Sequence, residues 1–193
     1  TINGLAQYNR EQKNFTTLTR GQVKSSLCIE GGVLFGGDNV LYYYHYQTKE
    51  LERIHIHPED SKTIPIEYRV QKIIPFKENK VLLGTRKKGL FTYDCQTREI
   101  KSFTAEFPNY LLFSLCAASD QYIYASFYGH GVYRFDQNGE IAGFYMSKNS
   151  PLSNNYVMDI LEHEGKLWLA TDGGGINLID LKTGEFSLLS HIT

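Results

Sequence analysis

The chain has 193 residues, and its 20 Lys and Arg against 21 Asp and Glu leave a formal charge of −1 at pH 7. That balance excludes a large non-specific nucleic-acid footprint, which needs a basic face. No apolar run approaches the roughly 20 residues that cross a membrane as a helix, and no signal-peptide pattern opens the chain. Apolar residues make up 41% and aromatics 13%, with 14 Tyr and 11 Phe against 2 Met and 1 Trp, a composition that suits pleated, half-buried strands.

In chain order, one pattern occurs five times. The first version, residues 4–18, is only a half. The second, residues 31–54, keeps the spacing but has Val40 where the others carry Gly. The third (80–103), fourth (121–144) and fifth (166–189) share one plan. An apolar run ends in a small residue, and a short polar loop follows. Gly plus an aliphatic residue then opens an alternating stretch that runs to an Asp, a turn and a last apolar strand. The anchors Gly4, Val40, Gly89, Gly131 and Gly175 lie 36, 49, 42 and 44 residues apart, close to the period of roughly 40–50 expected of propeller blades.

Each full unit reads as four strands. In the last one, strand a is Val157-Met158-Asp159-Ile160-Leu161, strand b Leu167-Trp168-Leu169-Ala170-Thr171 and strand c Ile176-Asn177-Leu178-Ile179. Asp180-Leu181-Lys182-Thr183-Gly184 and Asp136-Gln137-Asn138-Gly139 carry hairpin chemistry, because Asp can bond the backbone ahead of it and Gly supplies positive φ. Strand d falls at 51–54, 100–103, 141–144 and 186–189. Cys28 and Cys116 take the slot that Ile74 and Leu161 fill elsewhere, which reads as small core residues and not as a disulfide.

Such units cannot bury both faces alone and must stack. The expectation is an all-β fold, a β-propeller of four-stranded blades with about four and a half blades present, forming a single partial propeller domain over 1–193. The blades fall near 1–19 (half), 20–55, 69–104, 111–145 and 156–190, about eighteen strands in all. Strand a should line the axis, because Ile73-Ile74 and Ile160-Leu161 make its flanks apolar. The last repeat completes itself, so nothing supplies the two strands missing from the first. The chain therefore reads as a fragment of a larger propeller.

The string LWLATDGGGINLIDLKTGEF, with Leu83-Gly84-Thr85, Gly89-Leu90, Tyr93-Asp94 and the linker Ser150-Pro151-Leu152-Ser153-Asn154-Asn155, resembles the two-component regulator propeller repeat. The resemblance covers nearly the whole chain and is weakest over 20–55. It implies the periplasmic sensor region of a Bacteroides-type hybrid two-component regulator, with seven-bladed propellers. It also implies a membrane span, a histidine kinase and a DNA-binding part elsewhere in the parent chain, a homodimer, and in many cases a response to glycan fragments.

The residues themselves offer no catalytic set, and no cofactor is expected. Asp172-Gly173-Gly174-Gly175 lacks the Lys and helix of a phosphate loop. His55 and His57, with Glu59 or Asp60, are spaced for a metal but read better as solvated residues of a linker. Glu162 and Glu164 fall in a turn, and Asp94, Asp136 and Asp180 read as turn formers. The candidate ligand-binding residues are those of the b-to-c loops, Arg86, Lys87, Lys88, Tyr128, His130 and Asp172, joined on one rim by Tyr110 and Tyr156 ahead of two a strands. Arg can grip carboxylates or sulfates and Tyr can stack, so the partner expected is an oligosaccharide or an acidic protein. A scaffold for protein interaction or dimerisation, and a propeller lyase or hydrolase, are the alternatives. The insertion 55–69 should lie on the same rim.

Overall fold

The structure is a computed structural model that describes residues 4–37, 40–54, 68–104 and 108–189. Eighteen strands and no α-helix lie among them. A two-stranded sheet opens the chain, β1 (Leu5–Asn9) and β2 (Asn14–Thr19). Four antiparallel meanders of four strands follow. The second sheet holds β3 (Ser25–Ile29), β4 (Gly32–Gly37), β5 (Val40–His45) and β6 (Leu51–Ile54), and the third β7 (Val70–Lys77), β8 (Lys80–Thr85), β9 (Leu90–Asp94) and β10 (Ile100–Ser102). The fourth is β11 (Leu112–Ala117), β12 (Ile123–Phe127), β13 (Gly131–Phe135) and β14 (Ile141–Tyr145), and the fifth β15 (Val157–His163), β16 (Lys166–Thr171), β17 (Ile176–Asp180) and β18 (Phe186–Leu189). Successive first strands touch, β3 to β7 to β11 to β15, which places them on the inside of the curve. The architecture is an arc of β-propeller.

The core lies between sheets. Leu82 and Leu90 of the third sheet pack with Leu112, Leu115 and Ile123 of the fourth. Tyr124 and Val132 of the fourth pack with Ile160, Leu167, Leu169 and Ile179 of the fifth. Each such side chain contributes about 1.5–3 kcal/mol by leaving water. The spacing between sheets is set by one slot on the second strand, occupied by Gly36, Gly84, Ser126 and Ala170, which pair with Ser25, Lys72, Ser114 and Asp159. A Cβ on Gly84 would lie 2.2 Å from Leu112 Cδ2 of the next sheet, and one on Gly36 2.8 Å from Val70 Cβ. Only a small residue admits this approach.

One sequence expectation needs correcting. In the third, fourth and fifth sheets the first strand carries one extra residue, with the register slipping between Val70 and Lys72, Leu112 and Ser114, and Val157 and Asp159. β3 pairs without a slip over its five residues, so the residue matching Ile74, Cys116 and Leu161 is Leu27, not Cys28. Cys28 pairs with Val33 and is exposed, and all three cysteines are free thiols. The first strands face the inside of the arc and are less buried than the second. Ile74 is half-buried and Leu161 is 62% exposed, while β8 and β12 are buried almost throughout. The second strand has a sheet on both sides, whereas the first meets the axial opening.

The missing anchor glycine at Val40 is explained by loop length. Gly37 pairs directly with Val40, whereas three residues separate Thr85 from Gly89 and Thr171 from Gly175. Gly89, Gly131 and Gly175 have φ of 71°, 66° and 76°, which the shorter connection does not require of Val40.

Candidate functional site

The loops after the second strands of the third and fifth sheets are built alike. Thr85 N–H and its hydroxyl both donate to Gly89 O, at 3.0 and 2.8 Å, and Lys88 N–H donates to Thr85 Oγ1 at 3.0 Å. Thr171 repeats this with Gly175 O, at 3.1 and 2.7 Å. One rigid five-residue loop thus presents Arg86-Lys87-Lys88 in one blade and Asp172-Gly173-Gly174 in another. In the fourth sheet the corresponding loop presents Tyr128-Gly129-His130, closed by His130 N–H on Phe127 O at 2.9 Å.

Backbone bonds stitch these loops to the starts of the first strands. Leu112 N–H donates to Arg86 O at 3.0 Å, and Tyr128 N–H to Leu111 O at 2.8 Å. The basic loop and the tyrosine loop are therefore anchored on the same dipeptide. Asp172 N–H donates to Tyr156 O at 2.9 Å, and Gly131 N–H to Asn155 O at 3.0 Å. The linker ahead of Tyr156 is itself clamped. Ser153 N–H bonds Asn177 Oδ1 at 3.0 Å, Asn154 Nδ2 donates to Asp172 O at 2.6 Å, and Tyr156 N–H bonds Asn154 Oδ1 at 2.9 Å.

On this frame the side chains form an aromatic ledge. Tyr128 and Tyr156, 51% and 39% exposed, meet edge to face at 4.9 Å, and Phe113 meets Tyr128 at 5.3 Å. Tyr110 stacks on His130 with centroids 3.6 Å apart and planes 10° from parallel. Of the eight expected residues, Tyr128 joins Tyr156 and Tyr110 joins His130, with Arg86 and Asp172 tied in through the backbone. Lys88 leans toward Tyr68, its Nζ 6.0 Å from the ring centre. Phe113 was missed by sequence reasoning. It is the extra residue of the β11 bulge, and a bulge re-aims the side chain it adds. Most of the insertion, residues 55–67, with His55, His57, Glu59 and Asp60, lies outside the described residues.

A second polar group lines the inside of the arc. Asp159 Oδ1 accepts from Ser114 Oγ at 2.5 Å and from Lys72 Nζ at 3.1 Å, and Ile160 N–H donates to Ser114 Oγ at 3.2 Å. Ser25 Oγ accepts from Ile73 N–H at 3.0 Å. Burial works to raise the Asp159 carboxyl, but the Ser114 hydroxyl and the Lys72 ammonium outweigh it and hold it below the usual carboxylate range. The sequence signal was a polar residue, Ser25, Lys72, Ser114 or Asp159, at one shared slot of the four first strands.

Asp94, Asp136 and Asp180 are turn formers. Asp94 accepts from Gln96 and Thr97 N–H at 3.0 and 2.9 Å, Asp136 from Asn138 and Glu140 at 2.8 and 3.0 Å, and Asp180 from Lys182 and Thr183 at 3.0 Å each. Those backbone donors lower all three carboxyl pKa values. Among the described residues no group of three His, Cys, Asp or Glu could hold a metal. A cleft of about 700 Å³ lies away from the ledge, between β1–β2 and the outer strands of the second sheet, lined by Gln7, Arg10, Thr16, Tyr44 and Leu51 among others. The ledge is an open surface suited to stacking and ionic contact.

Comparison with known proteins bears on the fold. Residues 151–173, the clamped linker through the Asp172 loop, match the family described as two component regulator propeller. No curated protein matches the chain. Among solved structures, it resembles the extracellular domain of a protein described as a hybrid two component system from B. thetaiotaomicron, at 24% identity and TM-score 0.76 over 92% of this chain and 25% of that one. A second such domain from B. thetaiotaomicron matches at 15% identity and TM-score 0.71, over 97% and 27%. Virginiamycin B lyase from Staphylococcus aureus matches at 14% and 0.74, over 100% and 64%. The chain spans about a quarter of the length of the B. thetaiotaomicron chains, and at these identities the likeness shows the fold.

Proposed function

We propose that the chain is part of the extracellular or periplasmic sensor region of a hybrid two-component signalling protein, and that its ledge recognises glycan fragments without catalysis of its own. In this reading the kinase and the membrane span belong to other parts of the protein. The observation that carries it is the ledge of exposed Tyr128 and Tyr156 backed by half-buried Phe113, held by a linker whose sequence matches the regulator propeller family. Aromatic rings with exposed faces, set on a rigid scaffold beside ionic groups, suit the apolar face and hydroxyls of a sugar. The fold alone is shared with an enzyme, so it does not decide function. The test is titration of oligosaccharide fragments against the 193-residue chain and its Tyr128→Ala and Tyr156→Ala variants. Binding weakened at least ten-fold by either substitution supports the reading. Absence of binding by every saccharide, or binding unchanged in both variants, overturns it.

The outer face of the fifth sheet has no neighbouring sheet within the described residues, as at the end of an arc of propeller. Register places Leu161, Trp168, Ala170, Ile176, Leu178 and Leu189 on that one face. The matching residues of the fourth sheet, Tyr124 and Val132, are fully covered by the fifth, while Ile176 is 39% and Leu189 50% exposed.

A further inference from the structure

Arg86 and Lys87 are half-buried, and none of Arg86, Lys87 and Lys88 makes an ion pair with an acidic side chain among the described residues. Elsewhere among the described residues, four Lys or Arg side chains are paired with carboxylates. Lys72 pairs with Asp159, Lys80 with Asp94, Arg98 with Glu52 and Lys101 with Glu99. Three consecutive cations on a loop closed by Thr85 and Gly89 repel one another and lose part of their hydration, a cost that an anion would remove.

The position of this loop matters as much as its charge. Arg86 O and Tyr128 N–H bond the adjacent residues Leu112 and Leu111, so the cations begin where the aromatic ledge begins. At the other end of the ledge Tyr156 O accepts from Asp172 N–H, and the Asp172 side chain is an exposed carboxylate. The ledge is polarised, with positive charge beyond Tyr128 and negative charge beyond Tyr156.

Resting on the ledge being the recognition face, we propose that its ligand is an acidic saccharide carrying a carboxylate or sulfate. The anionic group sits at the 85–89 loop, a sugar ring stacks on Tyr128, and a neutral, hydroxyl-bearing unit extends toward Asp172. Arg86 supplies a bidentate grip that matches both anions, and Lys87 and Lys88 add point charge. Asp172 accepts hydroxyl donors and rejects an anion bound in the reverse direction, so charge sets the orientation of the chain of sugars.

The experiment titrates the 193-residue chain with four probes: an oligogalacturonate and its uncharged galactose counterpart, and a sulfated disaccharide and its desulfated form. These are repeated with the Arg86→Ala/Lys87→Ala/Lys88→Ala and Tyr128→Ala variants. The expected result is a preference of at least ten-fold for one acidic probe over its neutral partner. That preference disappears in the triple variant and shrinks steeply as salt is raised, while Tyr128→Ala weakens acidic and neutral probes alike. The carboxylate and sulfate arms separate the two anion classes. Equal binding of acidic and neutral probes, lost in Tyr128→Ala but indifferent to the triple variant, overturns this inference and leaves the ledge as a glycan site. Acidic binding indifferent to Tyr128→Ala also overturns it, because the anion then binds apart from the ledge. Failure of all four probes, and of the wider saccharide set above, overturns the recognition reading itself.

Discussion

Replacing Gly84 by Ala tests whether the small slot sets the spacing between sheets. The added Cβ would stand 2.2 Å from Leu112 Cδ2 and 3.4 Å from Leu115 Cδ2. Restoring ordinary contact at 3.4 Å requires Leu112 to retreat by about 1.2 Å. Leu112 is 1% exposed and surrounded by Leu82, Leu90, Leu115 and Phe127, so it has no open space to enter. Overpacking of this kind costs typically 1–3 kcal/mol, and the tight surroundings place it near the upper end, about 2–3 kcal/mol. For a chain of this size that is a fall of about 4–12 °C in melting midpoint. Gly84 is not in the left-handed region, so Ala adds no backbone strain. Truncating the neighbour, Leu112→Ala, should cost about 2–5 kcal/mol on its own. In the double variant the new methyl enters space vacated by Leu112, and Gly84→Ala becomes neutral or slightly stabilising, since Ala restricts the unfolded chain by about 0.4–1 kcal/mol relative to Gly. Urea denaturation of the four proteins should therefore give a coupling of about 2 kcal/mol or more. Additive effects within about 0.5 kcal/mol would show that Gly84 and Leu112 do not compete for one volume, and the spacing argument would fail.

The uncovered face of the fifth sheet should make the chain self-associate, and Ile176→Lys or Leu161→Lys should reduce that association in sedimentation velocity; a concentrated wild type that stays monomeric contradicts this. Asp159 has a lowered carboxyl pKa, so its contribution to stability is complete above the unfolded value of about 3.9 and is lost as pH falls through the lower folded value. Asp159→Asn should accordingly lower stability at neutral pH and flatten the acid limb of a melting profile below about pH 4; an unchanged limb rejects that role. Lys49 sits at φ 63° at the turn position where Gly184 has φ 74°. Lys49→Gly relieves left-handed strain of about 1–2 kcal/mol against a Gly entropy cost of up to about 1 kcal/mol. The melting midpoint should hold or rise slightly, and a clear fall would show that Lys49 makes a contact worth more than the strain.

The sheets were legible because the repeat states its own punctuation. Asp180 followed by Thr183-Gly184 announces a turn whose hydrogen bonds the structure supplies, and apolar alternation marks the strands on either side. The error at Cys28 shows where reading by spacing ends, since one extra residue in β7, β11 and β15 leaves the chemistry of the strand unchanged while shifting every partner. Phe113 was hidden for the same reason. It reads as one more apolar residue of a strand until the bulge turns it toward Tyr128. Contacts across long separations, such as Lys72 with Asp159, cannot be read from local pattern, because only the curvature of the arc brings residues 87 positions apart together.

That last contact has a mechanical meaning. Lys72 belongs to the third sheet and Asp159 to the fifth, and Ser114 of the sheet between them bonds the same carboxylate oxygen. Three sheets joined at a single atom form a triangulated brace, so tilting any one of them about its neighbour stretches a bond to the other two. Load applied at the outer loops is then carried through this part of the arc as through a stiff wedge, and bending is concentrated beyond the brace, at the ends.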